Sequence, residues 1–223
     1  MTGEALRDGG RAIPGALRAA LLALLATAFA GCASLGTPSA ASLPAPTVAP
    51  DWPARRAWLQ RDAMFDLRGR VAVAAGEEGF SAGLRWNQRD AEARIELDGP
   101  FGVGGLRLLA RGDALELTTA RGERLDGDAA RAELERRLGF ALPLSALRYW
   151  VRGVPDPSTP AIESLAPDAP RLAALEQLGW HVEYAAYVDA PGSAVPLPRR
   201  LVVVRESARL RMVIESWAGE AGR

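Results

Sequence analysis

Apolar and polar residues alternate along much of the chain, which indicates half-buried antiparallel strands. The first such runs are residues 67–73, 82–87, 93–98, 106–108 and 115–117. Successive side chains of a strand point to opposite faces of a sheet, so each run presents one apolar face. Because short breaks rich in glycine or charged residues separate the runs, they predict a meander of at least five strands.

One of these breaks holds a large apolar residue where a turn usually has a polar one. Pro100 and Gly102 flank Phe101. Proline fixes φ and glycine tolerates positive φ, so the segment predicts a turn. The Phe101 side chain is then either tucked beneath the sheet or offered to something outside the domain.

A helix is predicted at the start of the domain. Asp51 can cap it, and Pro53 suits its first turn. The residues near one stripe of this helix are Ala54, Ala57, Trp58 and Phe65.

The pattern changes after the first meander into a helical insert. Residues 129–138 are good helix formers, with Asp128 as the expected N-cap and Gly139 as the stop signal. A short helix is predicted after Pro143. The segment 155–170 contains five prolines, and it predicts a loop because proline cannot donate a backbone hydrogen bond.

Alternation resumes at Leu178 and continues through residues 180–186, 201–205 and 210–217. The chain therefore predicts two antiparallel meanders separated by a helical insert. We expect a single, mainly β domain over residues 54–219, because nothing in the sequence marks a second domain boundary or an internal repeat.

Composition narrows the classes of function. The chain has 223 residues, a formal net charge of zero, one cysteine, one histidine and no lysine. This length allows one β domain with a sizeable core. Zero net charge gives no support to a nucleic-acid partner, which favours a basic excess. Without lysine the phosphate-binding motif GxxxxGK[ST] is absent, which excludes nucleotide hydrolysis by that route.

Residues 1–31 are predicted to be a lipoprotein signal peptide. Three arginines precede the apolar run Ala19–Phe29, which is shorter than the about 20 residues that a bilayer span needs. Small residues and then Cys32 follow. This arrangement resembles a bacterial lipoprotein signal, in which the peptidase cuts before the cysteine and its thiol carries a diacylglyceryl group. An exported protein with an unmodified thiol is the alternative.

Residues 32–53 are predicted to be a tether between lipidated Cys32 and the folded domain. Five prolines lie there among serine, threonine and alanine, a composition that cannot bury a core. Fully extended, such a segment reaches roughly 60 Å. Ala33 stands where an Asp signals inner-membrane retention in enterobacterial lipoproteins, so by analogy we expect the outer membrane.

Two patterns suggest catalysis, and each has a plainer interpretation. Residues 79–83 match GxSxG, with Ser81 as the nucleophile and His181 downstream. That motif needs a strand followed by a helix, whereas Ser81 leads into an alternating strand. His181 has no second histidine and no free cysteine to share a metal with, and it lies on a polar strand face. We predict no catalytic residue, no metal and no cofactor, and an esterase at Ser81 stays an alternative.

Large aromatic residues recur on the inward faces of the predicted elements. Trp86, Trp150, Trp180 and Tyr184 are either ordinary core residues or the lining of an apolar pocket. A pocket requires that the sheet curls without closing.

An ordered set of short motifs across Trp58–Trp217 resembles the outer-membrane lipoprotein receptor family LolB. No single motif is decisive, but the set occurs in that family's order. Its members are Gly69-Arg70-Val71, Leu84-Arg85-Trp86, Gly99-Pro100-Phe101-Gly102, Leu138-Gly139, Leu142-Pro143-Leu144, Leu147, Trp150-Val151-Arg152-Gly153, Gly179-Trp180, Tyr184 and Leu197-Pro198.

The resemblance implies an incomplete, strongly bent antiparallel β-barrel with α-helices covering the mouth of an apolar cavity. It also implies an outer-membrane, lipid-anchored receptor that faces the periplasm and takes lipoproteins from the carrier LolA. Such a receptor inserts its cargo into outer-membrane lipid without nucleotide hydrolysis, and we expect it to be a monomer. A purely structural envelope lipoprotein with a closed, filled core is the second alternative.

The resemblance also assigns roles to particular residues. Phe101, between Pro100 and Gly102, occupies the position of a protruding apolar residue, usually leucine, that contacts the membrane during delivery. The residues expected to line the acyl-chain cavity are Leu84, Trp86, Ile95, Leu97, Leu106, Leu108, Leu117, Trp150, Trp180, Tyr184, Met212 and Ile214.

Overall fold

The computed structural model describes residues 51–61, 64–99 and 105–218. The predicted signal peptide, Cys32 and the tether as far as Pro50 lie outside the described residues. So do Pro100, Phe101 and Gly102.

The described chain contains three helices and eleven strands. Helix α1 (Trp52–Arg61) comes first, and α2 (Gly127–Leu138) and α3 (Leu144–Trp150) lie between the two groups of strands. The first group is β1 (Phe65–Ala75), β2 (Glu78–Arg89), β3 (Glu92–Asp98), β4 (Leu106–Arg111), β5 (Ala114–Thr119) and β6 (Arg124–Asp126). The second group is β7 (Ala161–Leu165), β8 (Leu172–Gln177), β9 (Trp180–Val188), β10 (Leu197–Arg205) and β11 (Ala208–Ala218).

All eleven strands form one antiparallel sheet in the order β6-β5-β4-β3-β2-β1-β11-β10-β9-β8-β7. Each group is a meander, and the two meet where β1 pairs with β11. Among the described strands, β6 and β7 each have a neighbour on one side only, so the sheet is bent without closing. The predicted incomplete barrel built from two meanders with a helical insert is confirmed.

The β1–β11 pair, at the centre of the sheet, depends on a glycine. The register shifts by one residue between Arg68 and Gly69. A Cβ atom added to Gly69 would lie 2.1 Å from the carbonyl oxygen of Val213, so no larger residue fits there.

The prediction of a loop over residues 155–170, with strands resuming at Leu178, is wrong. Strand β7 lies inside that segment, between Pro160 and Pro167, and β8 ends before Leu178. The prolines flank β7 without interrupting it, as an edge strand permits. Leu178 and Gly179 instead form the two-residue turn between β8 and β9, both with positive φ (54° and 73°).

Two details of the helices also differ from expectation. Phe65 begins β1 and is not part of the α1 stripe; α1 buries Arg55 and Leu59 instead. The N-cap of α2 is Asp126, not Asp128, and its side chain makes no capping hydrogen bond. The predicted stop at Gly139 is confirmed, since it caps α2 with a φ of 80°.

Helix α1 is fastened to the second meander by polar contacts. Asp51 caps it, accepting a hydrogen bond from the Ala54 N–H at 3.0 Å. Glu163 on β7 accepts a hydrogen bond from Trp52 Nε1 at 2.6 Å and pairs with Arg56 at 2.6 Å. These contacts place α1 beside the strand that ends the sheet.

Candidate functional site

A small apolar cavity lies between the inward face of the sheet, around strands β1 to β4 and β11, and the two helices α2 and α3. Its volume is about 40 Å³, and no polar atom is exposed to it. The fourteen lining residues come from strands, helices and the α2–α3 connection: Val71, Val73, Leu84, Trp86, Ile95, Leu97, Leu108, Leu134, Leu138, Leu142, Leu144, Leu147, Leu210 and Met212.

Half of the twelve residues predicted to line a cavity are brought together here. They are Leu84, Trp86, Ile95, Leu97, Leu108 and Met212. They share the inward face of β2, β3, β4 and β11, because residues directly opposite one another, such as Trp86 and Ile95, point to the same side of the sheet.

Three predicted aromatic residues lie elsewhere, in the core between α3 and the second meander. Trp150 is fully buried and donates its indole N–H to Gln177 Oε1 at 2.8 Å. The Tyr184 hydroxyl donates to the Trp150 carbonyl oxygen at 2.9 Å, and burial raises the Tyr184 pKa, so the phenol stays protonated. The Trp180 ring contacts the Phe140 ring at a tilt of 60°, with the ring centroids 5.5 Å apart.

The other three predicted residues are buried away from this cavity. Leu106, Leu117 and Ile214 are at most 5% exposed, yet none of them lines it. Alternation identifies the inward face of a strand, but it does not tell which part of that face another element covers.

Eight lining residues were not among those predicted: Val71, Val73, Leu134, Leu138, Leu142, Leu144, Leu147 and Leu210. The signals were present in the sequence. Val71 and Val73 alternate on the inward side of β1, and Leu134 and Leu138 stand four apart on α2. The sequence pattern does not show that α2 lies across this part of the sheet.

The only polar atom among the lining side chains is kept out of the cavity. Trp86 donates its indole N–H to Gln88 Oε1 at 2.9 Å, and Gln88 in turn donates to the Asp90 carbonyl oxygen at 2.7 Å. Because Gln88 satisfies the indole nitrogen, the ring offers the cavity only carbon.

Helix α3 is fixed at its C-terminal end by buried hydrogen bonds around Gln177. Besides accepting from Trp150, Gln177 accepts from the Asp156 N–H at 2.9 Å. Its amide donates to the carbonyl oxygens of Asp156 at 2.8 Å and Thr159 at 2.9 Å. Three of these four bonds are buried and the bond to Thr159 is half-buried, so they hold the connection from α3 to β7 in one arrangement.

Helix α2 is held over the cavity mainly by apolar contacts. Ala130, Leu134 and Leu138 are buried beneath it. One charged residue reaches the sheet, since Arg131 donates a hydrogen bond to the carbonyl oxygen of Asp113 in the β4–β5 turn. Within the helix, Arg136 and Arg137 hydrogen-bond Glu133 and lower the pKa of that carboxyl to about 2. The contacts with Glu133 stabilise the helix itself and do not fasten it to the sheet.

Two larger grooves lie on the outer face of the sheet and are lined with charges. Their volumes are about 520 and 790 Å³. Arg94 and Glu96 line both. An acyl chain placed there would gain little binding free energy, because it would displace water from charged side chains without replacing their hydrogen bonds.

The two suggested catalytic residues stand in ordinary strand positions. Ser81 is exposed within β2, opposite Ala72, and no helix follows it. His181 is on the outer face of β9, 3.4 Å from Glu183 and 3.7 Å from Glu176. Ser81 therefore lacks the strand–turn–helix setting of a nucleophile elbow.

Among residues 51–61, 64–99 and 105–218, no group of three histidine, cysteine or carboxylate side chains is placed to hold a metal ion. No helix in this part of the chain is long and apolar enough to cross a membrane.

The fold and cavity define a class of protein. In it, an open, curved antiparallel sheet and the helices across it enclose an apolar cavity that suits an apolar ligand. A DUF1329 family protein from Desulfovibrio piger has a similar fold, with a TM-score of 0.50 at 9% identity over 77% of this chain and 92% of that one. At this identity the likeness concerns the fold alone.

The chain belongs to the family of the outer membrane lipoprotein LolB, whose family model matches residues 63–217. The outer-membrane lipoprotein LolB of Stutzerimonas stutzeri is 36% identical over 90% of this chain and 95% of its own length. That of Nitrosococcus oceani is 35% identical over 85% and 91%. The protein is thus a lipoprotein of the outer membrane and a lipoprotein-localisation factor, and the predicted family is confirmed.

Proposed function

We propose that this protein accepts lipoproteins from the periplasmic carrier LolA and inserts them into the outer membrane, holding their acyl chains in the apolar cavity. The observation that carries the proposal is the cavity itself, whose lining exposes no polar atom, in a chain of the LolB family. An acyl chain is the one part of a lipoprotein that such a lining suits.

The cavity must widen to receive an acyl chain. Sites for small ligands usually measure about 300 Å³ or more, whereas this cavity measures about 40 Å³. We expect α2 to move, because leucine side chains and one exposed hydrogen bond, from Arg131 to the Asp113 carbonyl oxygen, hold it to the sheet. The C-terminal end of α3 stays in place, since the buried bonds of Trp150 and Gln177 fix it.

Direction of transfer comes from relative affinity in this proposal, without nucleotide hydrolysis and without a catalytic residue. The receptor must bind the acyl chains more tightly than the carrier does, and each tenfold difference in affinity corresponds to about 1.4 kcal/mol. The bilayer must in turn bind them more tightly than the receptor. Moving an acyl chain between apolar environments forms and breaks no covalent bond. The ordinary strand positions of Ser81 and His181 are consistent with this.

Two residues outside the described chain complete the proposal. The acylated Cys32 anchors the protein, since several acyl chains hold a protein on a membrane far more firmly than one. Phe101 contacts the membrane during delivery, and its insertion into lipid contributes about 2 kcal/mol. Such a contact biases docking and stays reversible.

The test is a transfer assay in solution. The mature chain with Cys32→Ala is mixed with LolA that carries a lipoprotein, without ATP and without membranes. We expect the lipoprotein to move onto this protein. If it stays on LolA while both proteins are folded, the receptor role is wrong and a structural envelope lipoprotein becomes the better description.

A further inference from the structure

Exposed arginines cluster on the outer face of three adjacent strands, β10, β11 and β1. We call this set the arginine face: Arg68, Arg70, Arg200, Arg209 and Arg211. Strand register places them together, since Arg200 and Arg70 both lie opposite Val213, one on each side of β11. Their neighbours on the same strands, such as Met212 and Leu201, are buried on the other face.

The arginine face is not neutralised by the described residues. Arg70 pairs with Glu215 at 3.0 Å, and no carboxylate in the described chain forms an ion pair with any of the other four. Two further acidic residues lie beside the arginine face. Glu183 on β9 is opposite Val202, and Asp66 on β1 is already paired with Arg89 at 2.9 Å. In a chain with zero net charge, the five arginines less Glu215 and Glu183 leave a local positive excess of three.

Three arginines at the far end of the same outer face are paired, although Arg124 on β6 forms no ion pair with a described residue. Arg94 contacts Glu92 at 2.7 Å and Arg107 contacts Glu96 at 3.7 Å. Arg111 contacts Glu92 at 2.8 Å. Unpaired positive charge is therefore concentrated in one region of the sheet.

Small apolar side chains lie between the arginines. Val202, Val204 and Val213 are half-buried, as is Ala72. Guanidinium groups above a shallow apolar surface suit the surface of a lipid bilayer, where headgroup phosphates meet acyl chains. The apolar stems of the arginines cover apolar area, and their charged ends reach the phosphates.

We propose that the arginine face binds anionic phospholipid headgroups of the membrane in which the protein is anchored. Anchoring supplies the argument for this occupant. With Cys32 acylated, eighteen residues, 33–50, separate the lipid from the described domain, and they span at most roughly 60 Å. The domain is thus always within reach of a headgroup surface.

Guanidinium suits this ligand, because it presents two parallel N–H donors to a phosphate. Each arginine near an anionic surface strengthens association about fivefold. Docking through this face would give the receptor a preferred orientation on the membrane. The proposal depends on the anchor and not on lipoprotein transfer, so each can fail without the other.

The experiment uses the complete acylated protein in vesicles. Because Cys32 is acylated, a cysteine introduced by Ser216→Cys, beside Arg68 on the arginine face, is the sole thiol for a donor dye. Ser145→Cys on α3, on the other side of the sheet, is the matched control position. Energy transfer to a headgroup-labelled lipid is measured in phosphatidylcholine vesicles with or without phosphatidylglycerol.

We expect phosphatidylglycerol to raise energy transfer from position 216 but not from position 145, and high salt to reverse the rise. The triple variant Arg200→Gln, Arg209→Gln, Arg211→Gln should lower the ratio of docked to undocked protein on the order of 10²-fold. The control variant Arg94→Gln, Arg107→Gln, Arg111→Gln removes the same charge and should lower it less than about fivefold.

Three outcomes would overturn the proposal. One is energy transfer that does not depend on phosphatidylglycerol, which would make an acidic protein the better occupant. Another is an equal loss in both triple variants, which would mean that only net charge acts. The last is that phosphatidylglycerol raises energy transfer from position 145 and not from position 216. Urea unfolding of each variant is the control for folding, and we expect these exposed substitutions to leave the unfolding midpoint unchanged.

Discussion

Leu142 is the residue at which the cavity can be blocked with least harm to the fold. It lines the cavity but is only half-buried. It also borders a surface cleft of about 250 Å³ beside α2, so a larger side chain has room to spread. A change here separates the use of the cavity from the stability of the core.

We expect Leu142→Trp to reduce uptake of lipoprotein from LolA at least tenfold while the free energy of unfolding falls by no more than about 1–3 kcal/mol. Uptake is measured in the solution assay, and stability by urea denaturation. Leu165→Trp, at an exposed position on β7, is the control and should leave uptake unchanged. Normal uptake by Leu142→Trp would mean that acyl chains bind elsewhere.

Gly139 fixes the end of α2 against β1. Its φ is 80°, and an added Cβ would lie 2.5 Å from the Ala75 Cβ. We expect Gly139→Ala to lower the free energy of unfolding by about 2–3 kcal/mol, from left-handed backbone strain and from the clash. Urea denaturation measures the loss.

A matched glycine separates the two causes of that loss. Gly122 has the same φ of 80° but nothing within 4 Å of its added Cβ, so Gly122→Ala should cost only about 1 kcal/mol. Equal losses for the two variants would show that α2 is not packed against Ala75 as described.

At the scale of elements, one side chain joins the α3–β7 connection to β8. Gln177 is 3% exposed and makes four hydrogen bonds. Replacing it with leucine keeps the volume but leaves the Trp150 indole and the backbone groups of Asp156 and Thr159 without that partner. Each such buried group costs about 1–3 kcal/mol.

We therefore expect Gln177→Leu to lower the free energy of unfolding by about 3 kcal/mol or more, measured by denaturant titration with tryptophan fluorescence. Gln60→Leu is the comparison, because Gln60 makes one half-buried hydrogen bond, to the Pro155 carbonyl oxygen at 2.9 Å. It should cost about 1 kcal/mol. A Gln177→Leu loss as small as that would contradict the rigid end of α3 on which the proposed opening by α2 depends.

At the scale of the whole molecule, the proposed function joins a cavity, a membrane contact and an anchor. Phe101→Glu tests the membrane contact: we expect the urea midpoint to stay nearly unchanged and uptake from LolA to be normal. Delivery from the acylated receptor into vesicles should fall at least tenfold, because a carboxylate does not enter lipid. Phe101→Leu is the conservative control and should retain delivery.

Failure of the Phe101→Glu variant to fold would instead assign Phe101 to the core. Normal delivery by a folded variant would remove the loop from the mechanism. Either result leaves the apolar cavity, and the test of uptake in solution, unaffected.

Most of the fold was predictable because its signals are local. Alternation identified most strands of both meanders, and Gly139 marked the end of α2. The exceptions occur where neighbours in space override local pattern. Strand β7 forms between prolines because an edge strand leaves one side unpaired. Phe65 starts a strand because its ring packs against those of Trp86 and Trp217, with ring centroids 5.6 and 5.7 Å apart.

The candidate site was predictable only in part. Trp86 and Trp150 are both inward-facing tryptophans in the sequence, and alternation cannot tell them apart. Trp86 lines the cavity because α2 and α3 bridge its part of the sheet, whereas Trp150 is enclosed by Gln177 and Tyr184. Which side chains a cavity exposes depends on how helices far away in sequence are laid across the strands.

The sequence by itself determined the class of fold, the family and the apolar character of the inward face, because periodicity and short motifs are properties of neighbouring residues. Only the tertiary structure decided where the cavity lies, how small it is, which arginines are left unpaired and which helices cover the sheet. Those depend on strand register and on contacts between distant segments, where a shift of one residue exchanges the two faces of a strand.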